Sequence, residues 1–284
     1  MTPHEHDLGL VYDLGTLRRR KVLRLLTGAG LATVAACTAD RTTGSSAPST
    51  SASTIPTTTP SATASSTSST PSTTAATVDE IPQETAGPFP GDGSNGPNVL
   101  TESGIVRKDI TKSFGSAAGV AAGVPLTVEL AVLDAAKDTA LQGAAVYVWH
   151  CDALGRYSLY DGEITGENYL RGVQAADANG KVTFTTIFPA AYQGRWPHIH
   201  FEVYASLSDA TAAGKISSTS QLALPAEICQ TVYATSGYDG STQNLARTSL
   251  QSDNVFGDDG GVHQLASVTG SVQDGYVARL TVGV

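Results

Sequence analysis

The chain has 284 residues, with 17 Lys and Arg against 26 Asp and Glu, and a formal net charge of −9 with histidine counted neutral. A surface of that sign does not invite nucleic acid, which is bound chiefly through lysine and arginine. The first 37 residues hold five basic and three acidic side chains, so without them the formal charge falls by two to −11.

In chain order, the first feature is Leu17-Arg18-Arg19-Arg20-Lys21-Val22-Leu23-Arg24, followed by an apolar stretch from Leu25 to Ala36. This is the pattern of a twin-arginine signal peptide. The stretch is short for a membrane span and ends at Val34-Ala35-Ala36-Cys37, which resembles the bacterial lipoprotein cleavage box with Cys37 as the lipidated residue. Residues 1–37 are therefore read as an export signal, with the membrane reached only through a lipid anchor. Residues 38–78 are almost wholly Thr, Ser, Ala and Pro, with Asp40 and Arg41 as the only charges. Such a segment cannot bury a core and reads as a tether.

Residues 79–284 are long enough for one sizeable core. Glu84 to Leu100 is rich in Gly, Pro and Asn and reads as irregular chain able to line a pocket. Strands are predicted over Leu126 to Leu133, Ala145 to His150, Lys181 to Ile187, His198 to Tyr204 and Tyr276 to Val282, separated by turn-rich segments with few helical patterns. The fold class is all-β, a β-sandwich with long irregular loops. From Ser206 to His263 the pattern is poor, and loops are expected with one short helix near Pro225 to Cys229. Cys151 and Cys229 are either a disulfide pair or two buried thiols.

The chemistry concentrates in Tyr192-Gln193-Gly194-Arg195-Trp196-Pro197-His198-Ile199-His200. From Ile199 to Tyr204 the pattern alternates with a period of two. This places His198, His200 and Glu202 on one face of a strand and Ile199, Phe201 and Val203 on the other. Two imidazoles on one face can share an ion, since imidazole nitrogen suits iron, zinc and copper; the alternative is a pair of histidines that only hydrogen-bond inside a sandwich. With Glu202 they would make a two-histidine-one-carboxylate set for Fe(II) or zinc. Upstream, Val146 to Tyr160 reads as a strand running into a turn that presents Tyr157. Asp177-Ala178-Asn179-Gly180 reads as a hairpin turn, and the strand after it delivers the chain to Phe188-Pro189 and Tyr192. His150, between Trp149 and Cys151, reads as structural. Arg195 is a candidate active-site cation, with a surface position or a pairing to Glu202 as the alternatives, while Arg171 and Gln174 either shape a pocket wall or brace a loop.

Three segments together resemble the intradiol ring-cleavage dioxygenases, the family of catechol 1,2-dioxygenases and protocatechuate 3,4-dioxygenases. They are Trp-His-x-x-x-x-Gly-x-Tyr-Ser at Trp149 to Ser158, Tyr-Leu-Arg-Gly-x-Gln at Tyr169 to Gln174, and Tyr-x-Gly-Arg-x-Pro-His-Ile-His at Tyr192 to His200. Weaker likeness at Glu84 to Phe89 and Val106 to Ile110 extends the resemblance over most of 79–284. The resemblance implies non-haem Fe(III) held by Tyr157, Tyr192, His198 and His200, with Arg195 as the active-site guanidinium. It implies cleavage of a catechol-type substrate by O2 between the two hydroxylated carbons, giving a cis,cis-muconate-type diacid, with Tyr192 leaving the metal when substrate binds. The ligand types suit the ion: phenols with a reference pKa of about 10 become phenolates beside a trivalent cation, and two phenolates with a hydroxide balance its charge. Two departures are visible. Ala86-Gly87-Pro88-Phe89 stands where many relatives have Glu-Gly-Pro-Tyr, and Pro189-Ala190-Ala191 replaces a Pro-Gly before the second tyrosine. The rival expectations are a surface-anchored, non-catalytic module that binds aromatic material, and the His198, His200 and Glu202 metalloenzyme.

Overall fold

The computed structural model describes residues 78–284, so the leader, Cys37 and all of the tether but Val78 lie outside the described residues. Among the described residues nine strands form two sheets. In the first, β1 (Pro125–Asp134) is central: β9 (Gly275–Gly283) runs parallel to it on one side, followed by β8 (Ser267–Ser271). On its other side β5 (Lys181–Ile187) and the two-residue β2 (Thr139–Ala140) pair with successive stretches of β1. The second sheet has the order β4 (Arg171–Ala175), β3 (Ala145–Trp149), β6 (His198–Tyr204), β7 (Ile216–Ala223), all antiparallel. Three short helices, α1 (Leu207–Thr211), α2 (Ala226–Tyr233) and α3 (Ser241–Leu245), lie in the loops, and no helix of the described residues is long and apolar enough to cross a membrane.

The sandwich and its alternating strands are as the sequence predicts, and two predicted strands, β5 and β6, have the expected ends. Leu126, Val128, Leu130 and Val132 of β1 point inward, and Val182 and Phe184 of β5 join them against Val146, Val148, Ile199, Phe201 and Val203 of the second sheet. Each such side chain buried contributes roughly 1.5–3 kcal/mol in transfer free energy. The second sheet is buried on its outer face as well. There Ala145, Tyr147, Trp149, Val173 and Tyr204 form a second cluster with Val99, Leu100, Ile105 and Tyr157, because the irregular chain from residue 84 to 115 lies across them. This is why β3 and β6 are buried at every position, and it is this covered outer face that carries the site.

Two expectations are corrected. Asp177 to Gly180 is a tight turn, with Gly180 at φ +74° and its N–H donating to Asp177 O at 2.9 Å. It does not close a hairpin, because β4 pairs with β3 while β5 pairs with β1, so the turn carries the chain from one sheet to the other. The segment after Ser206 is more regular than loops with one short helix: it contributes β7 and three helices, with α2 extending past the expected Cys229 to Tyr233. Of the two readings open for Cys151 and Cys229, the structure has the pair of buried free thiols.

Candidate metal centre

Tyr157 sits on the long turn between β3 and β4. Asp152 shapes this turn by accepting the N–H of Leu154 at 2.8 Å and of Arg156 at 3.0 Å. Asp161 then accepts the N–H of Tyr157 itself at 2.6 Å. Two non-glycine residues in this region have left-handed backbone, Leu159 at φ +73° and Leu170 at φ +59°. Backbone of that kind is costly outside glycine and persists where the surroundings enforce it. Here the enforcement is Arg171, wholly buried, which donates to Ser158 Oγ at 3.1 Å, Ser158 O at 2.8 Å, Pro90 O at 2.9 Å and Tyr147 Oη at 3.1 Å. It is a brace between the tyrosine turn and the covering loop, which decides between the two roles open to it in the sequence.

Tyr192 arrives on the loop after β5. The α2–α3 region holds that loop: Tyr238 donates to Phe188 O and Tyr233 to Pro189 O, both at 2.9 Å, Ser241 Oγ accepts from Ala191 N at 3.2 Å, and Asn244 Nδ2 donates to Ala191 O at 2.9 Å. Ala190 and Ala191 need no left-handed backbone, so the replacement of Pro-Gly leaves the tyrosine in position. Gly155 makes room for it, since a Cβ there would stand 3.0 Å from Tyr192 Cβ.

The four side chains meet. Tyr157 Oη lies 3.4 Å from Tyr192 Oη, Tyr192 Oη 3.2 Å from His198 Nε2, and His198 Nε2 3.1 Å from His200 Nε2. His198 Nδ1 contacts Trp196 O at 2.5 Å, and since a carbonyl only accepts, the proton is on Nδ1 and Nε2 presents its lone pair. The His200 ring stacks on Trp149 with centroids 4.8 Å apart and planes 9° apart, and its buried Nδ1 has no hydrogen-bond partner. Burial lowers His198 to about 3 and holds His200 well below the usual histidine range, so both rings are neutral. Burial also pushes the Tyr157 phenol well above its usual value, so a phenolate there requires a cation beside it. Three of the four donors are almost wholly buried, while Tyr192 is partly exposed and marks the open side.

The covering loop closes over the histidines. A Cβ on Gly87 would lie 3.3 Å from His200 Cε1, and the Phe89 ring packs against Tyr157 and Tyr160 at centroid distances of 4.9 and 5.2 Å. The expected pocket-lining role of Glu84 to Leu100 is therefore met by contacts with two of the four donors. A cleft of about 740 Å³ lies elsewhere, between Val120, Leu154, Tyr169 and Gly237, and holds none of the four.

Arg195 is buried and pairs with neither solvent nor Glu202. Its Nε donates to Asp253 Oδ2 at 3.0 Å and its Nη2 to Gln221 Oε1 at 2.6 Å. Gln221 in turn donates to Thr85 O at 3.0 Å, tying the guanidinium to the covering loop. Neither Gln221 nor Asp253 was singled out in the sequence. Glu202 is turned away, accepting the Tyr204 hydroxyl at 2.7 Å, and among the described residues no three His, Cys, Asp or Glu side chains are grouped to hold a metal. The two-histidine-one-carboxylate set is thus not assembled. His150 is structural, as expected: its Nδ1 donates to Cys151 O at 2.8 Å and its Nε2 accepts from Thr186 at 2.7 Å.

Residues 95–232 match the dioxygenase family Dioxygenase_C. Among solved structures the chain is similar to an intradiol ring-cleavage dioxygenase from Tetranychus urticae, with 25% identity over 72% of this chain and 94% of that one and a TM-score of 0.56. It is also similar to the dioxygenase domain of a dioxygenase carbohydrate-binding protein fusion from Streptomyces sp. SirexAA-E (23% identity, 72% and 98% covered, TM-score 0.46) and to catechol 1,2-dioxygenase from Pseudomonas arvilla C-1 (19%, 72% and 60%, TM-score 0.44). No curated protein sequence matches with significance. The described domain is a β-sandwich of the intradiol ring-cleavage dioxygenase type. The resemblance read from the three tyrosine and histidine segments thus holds for both the matched stretch and the fold.

Proposed function

We propose that the protein is a non-haem Fe(III)-dependent intradiol dioxygenase that cleaves a catechol-type ring between its two hydroxylated carbons with O2, giving a cis,cis-muconate-type diacid. The convergence of Tyr157, Tyr192, His198 and His200, with successive donor separations of 3.1 to 3.4 Å, carries this reading. Donors about 2.0–2.2 Å from one ion stand about 3 Å or a little more from each other, which is the spacing of each successive pair here. The lone pair presented by His198 Nε2 and the unpartnered Nδ1 of His200, which would carry the proton once Nε2 ligates, fit it too.

Held by Tyr157, Tyr192, His198 and His200, Fe(III) would supply the Lewis-acid and redox chemistry that makes a catechol-type ring reactive toward dioxygen. The remaining work falls to the chain. Tyr192, the one partly exposed member of the cluster, stands on its open side, and its oxygen is placed to take one proton from the substrate. Arg195 is close enough for its charge to be felt by Tyr157, His198 and His200, and a fixed cation there stabilises negative charge developing on the ring. Gly87 and Phe89 exclude water from the two buried donors. The leader pattern and Cys37 support an exported, lipid-anchored placement, and a Cys37→Ala chain that still partitions with membranes would refute the anchor.

The test is the visible spectrum of the iron-loaded full chain before and after anaerobic addition of plain catechol. Two tyrosinates on Fe(III) give an intense band that shifts to longer wavelength as catechol chelates. A colourless iron-loaded protein would overturn the four-donor assignment, and a coloured protein that binds catechol without consuming O2 would favour the non-catalytic binding module.

A further inference from the structure

We infer that Asp253 is a positioning residue for this site, a buried carboxylate that fixes at once the Arg195 guanidinium and the peptide that orients the His198 ring. The inference rests on the dioxygenase reading for its catalytic consequence, but the clamp itself is geometric. Asp253 lies in the segment between α3 and β8, beyond the stretch that matches the dioxygenase family, and its side chain is fully buried. Oδ2 accepts two donors that are adjacent in sequence, Arg195 Nε at 3.0 Å and Trp196 N at 2.6 Å. Oδ1 accepts Val255 N at 2.8 Å and Phe256 N at 3.2 Å, with Arg195 Nη2 at 3.4 Å. The carboxylate is therefore held by its own backbone and cannot follow Arg195 if the guanidinium moves.

The other end of the same peptide reaches the metal donors. Trp196 O accepts His198 Nδ1–H, so Trp196 is bonded to Asp253 through its N–H and to the His198 ring through its carbonyl. That contact fixes which imidazole nitrogen faces Tyr192 and His200. A buried ion pair is weak as a source of stability, because desolvation of both ions offsets their attraction. What a carboxylate bonded in this way provides that an apolar replacement could not is direction: the guanidinium plane is set by Asp253 on one side and Gln221 on another. Arg195 thus enters the site already oriented, and a misplacement of about 1 Å in such a group can cost about 10²-fold in rate.

The experiment compares full-length wild type with Asp253→Asn, Arg195→Gln and the double variant. In iron-free protein the readouts are the arginine Nε–H and histidine Nδ1–H resonances; in iron-loaded protein they are kcat and KM for plain catechol. The expected result for Asp253→Asn is loss of a solvent-protected arginine Nε–H signal and a shifted histidine Nδ1–H signal. Iron content should be retained, kcat should fall on the order of 10²-fold, and the substitution should cost clearly less once Arg195 is glutamine, because only the arm to Trp196 is then left to lose. An unchanged Nε–H signal with kcat within about twofold of wild type, or a full multiplicative loss in the Arg195→Gln background, overturns the inference. If Asp253→Asn does not fold, Asp253→Glu keeps the charge but displaces it: turnover should fall with iron retained, and wild-type turnover overturns the inference. Iron-loaded wild type without any turnover would remove the dioxygenase reading, while the resonances would still decide the clamp.

Discussion

The two faces of β6 are equally buried and differ in everything else. Ile199, Phe201 and Val203 interlock with the first sheet, where any apolar side chain of similar volume would serve. His198, His200, Glu202 and Tyr204 on the other face are polar, and two of them, His200 Nδ1 and Glu202 Oε1, carry buried atoms without a hydrogen-bond partner. Unpaired buried polar atoms cost about 1–3 kcal/mol each, so this face is poorly explained as packing and well explained as a place where something else binds. The lesson is that burial alone does not separate core from site, whereas unsatisfied polarity does.

The sharpest break of this contrast is His200→Ala. Loss of outer hydrogen-bond partners of metal ligands costs about 10- to 100-fold in metal affinity or activity, so removal of a ligand should exceed about 10²-fold and bleach the visible band. The melting temperature of the iron-free protein should barely move. Retained colour and turnover would show that His200 is not a ligand. On the opposite face Phe201→Ala should do the reverse. It empties a fully buried site between the sheets and should cost about 3–5 kcal/mol, seen as a lowered urea midpoint, while turnover per folded molecule stays near wild type. Equal losses of activity and stability in both variants would erase the distinction between the faces.

A third test uses His150, which is as buried as the site histidines but fully bonded. Burial lowers it to about 4, against about 6.5 when unfolded. Between those values the unfolded chain takes up a proton that the folded chain refuses. The contribution to stability is therefore complete above about pH 6.5 and is lost as pH falls toward 4, on the order of 3 kcal/mol in all. A glutamine can keep both bonds, to Cys151 O and Thr186, without titrating. Urea unfolding of iron-free His150→Gln at pH 7 and pH 4.5 should thus lose less stability on acidification than wild type, and an identical loss would mean that His150 is already charged in the fold.

How far the sequence reached follows from the range of the interactions. Lys181–Ile187 and His198–Tyr204 were legible because branched and aromatic side chains alternate there with a period of two. Ile216–Ala223 was not, because its inward positions include Ser218 and Ser220, small polar residues buried by their neighbours and not by their own hydrophobicity. Ser267–Ser271, exposed and carrying Gly270, gave no pattern either. The meeting of Tyr157, Tyr192, His198 and His200 could be anticipated because each tyrosine and the histidine pair sits in a dense local motif. Gln221 and Asp253 could not, since they meet Arg195 from 26 and 58 residues away and nothing near either of them announces the contact.

The smallest expected effect is also the most selective probe of how tightly the covering loop is fitted to the site. Gly87 has φ +71°, and the nearest atom to an added Cβ is His200 Cε1 at 3.3 Å. Gly87→Ala therefore adds a backbone cost of about 1–2 kcal/mol and a contact that either the loop or the imidazole must relieve. His200 cannot retreat easily, because Trp149 is stacked on it and Tyr157 and His198 lie beside it. The loop has more freedom, since Gly87 is held locally by its N–H to Thr85 Oγ1 at 3.0 Å and more remotely by Gln221 on Thr85 O. The expected outcome is that the loop lifts: the iron band stays in place, stability falls by about 1–2 kcal/mol, and amides around residues 85–91 exchange faster with solvent. A shifted band with an unmoved loop would show instead that the imidazole yields first, and that the metal face is softer than its packing implies.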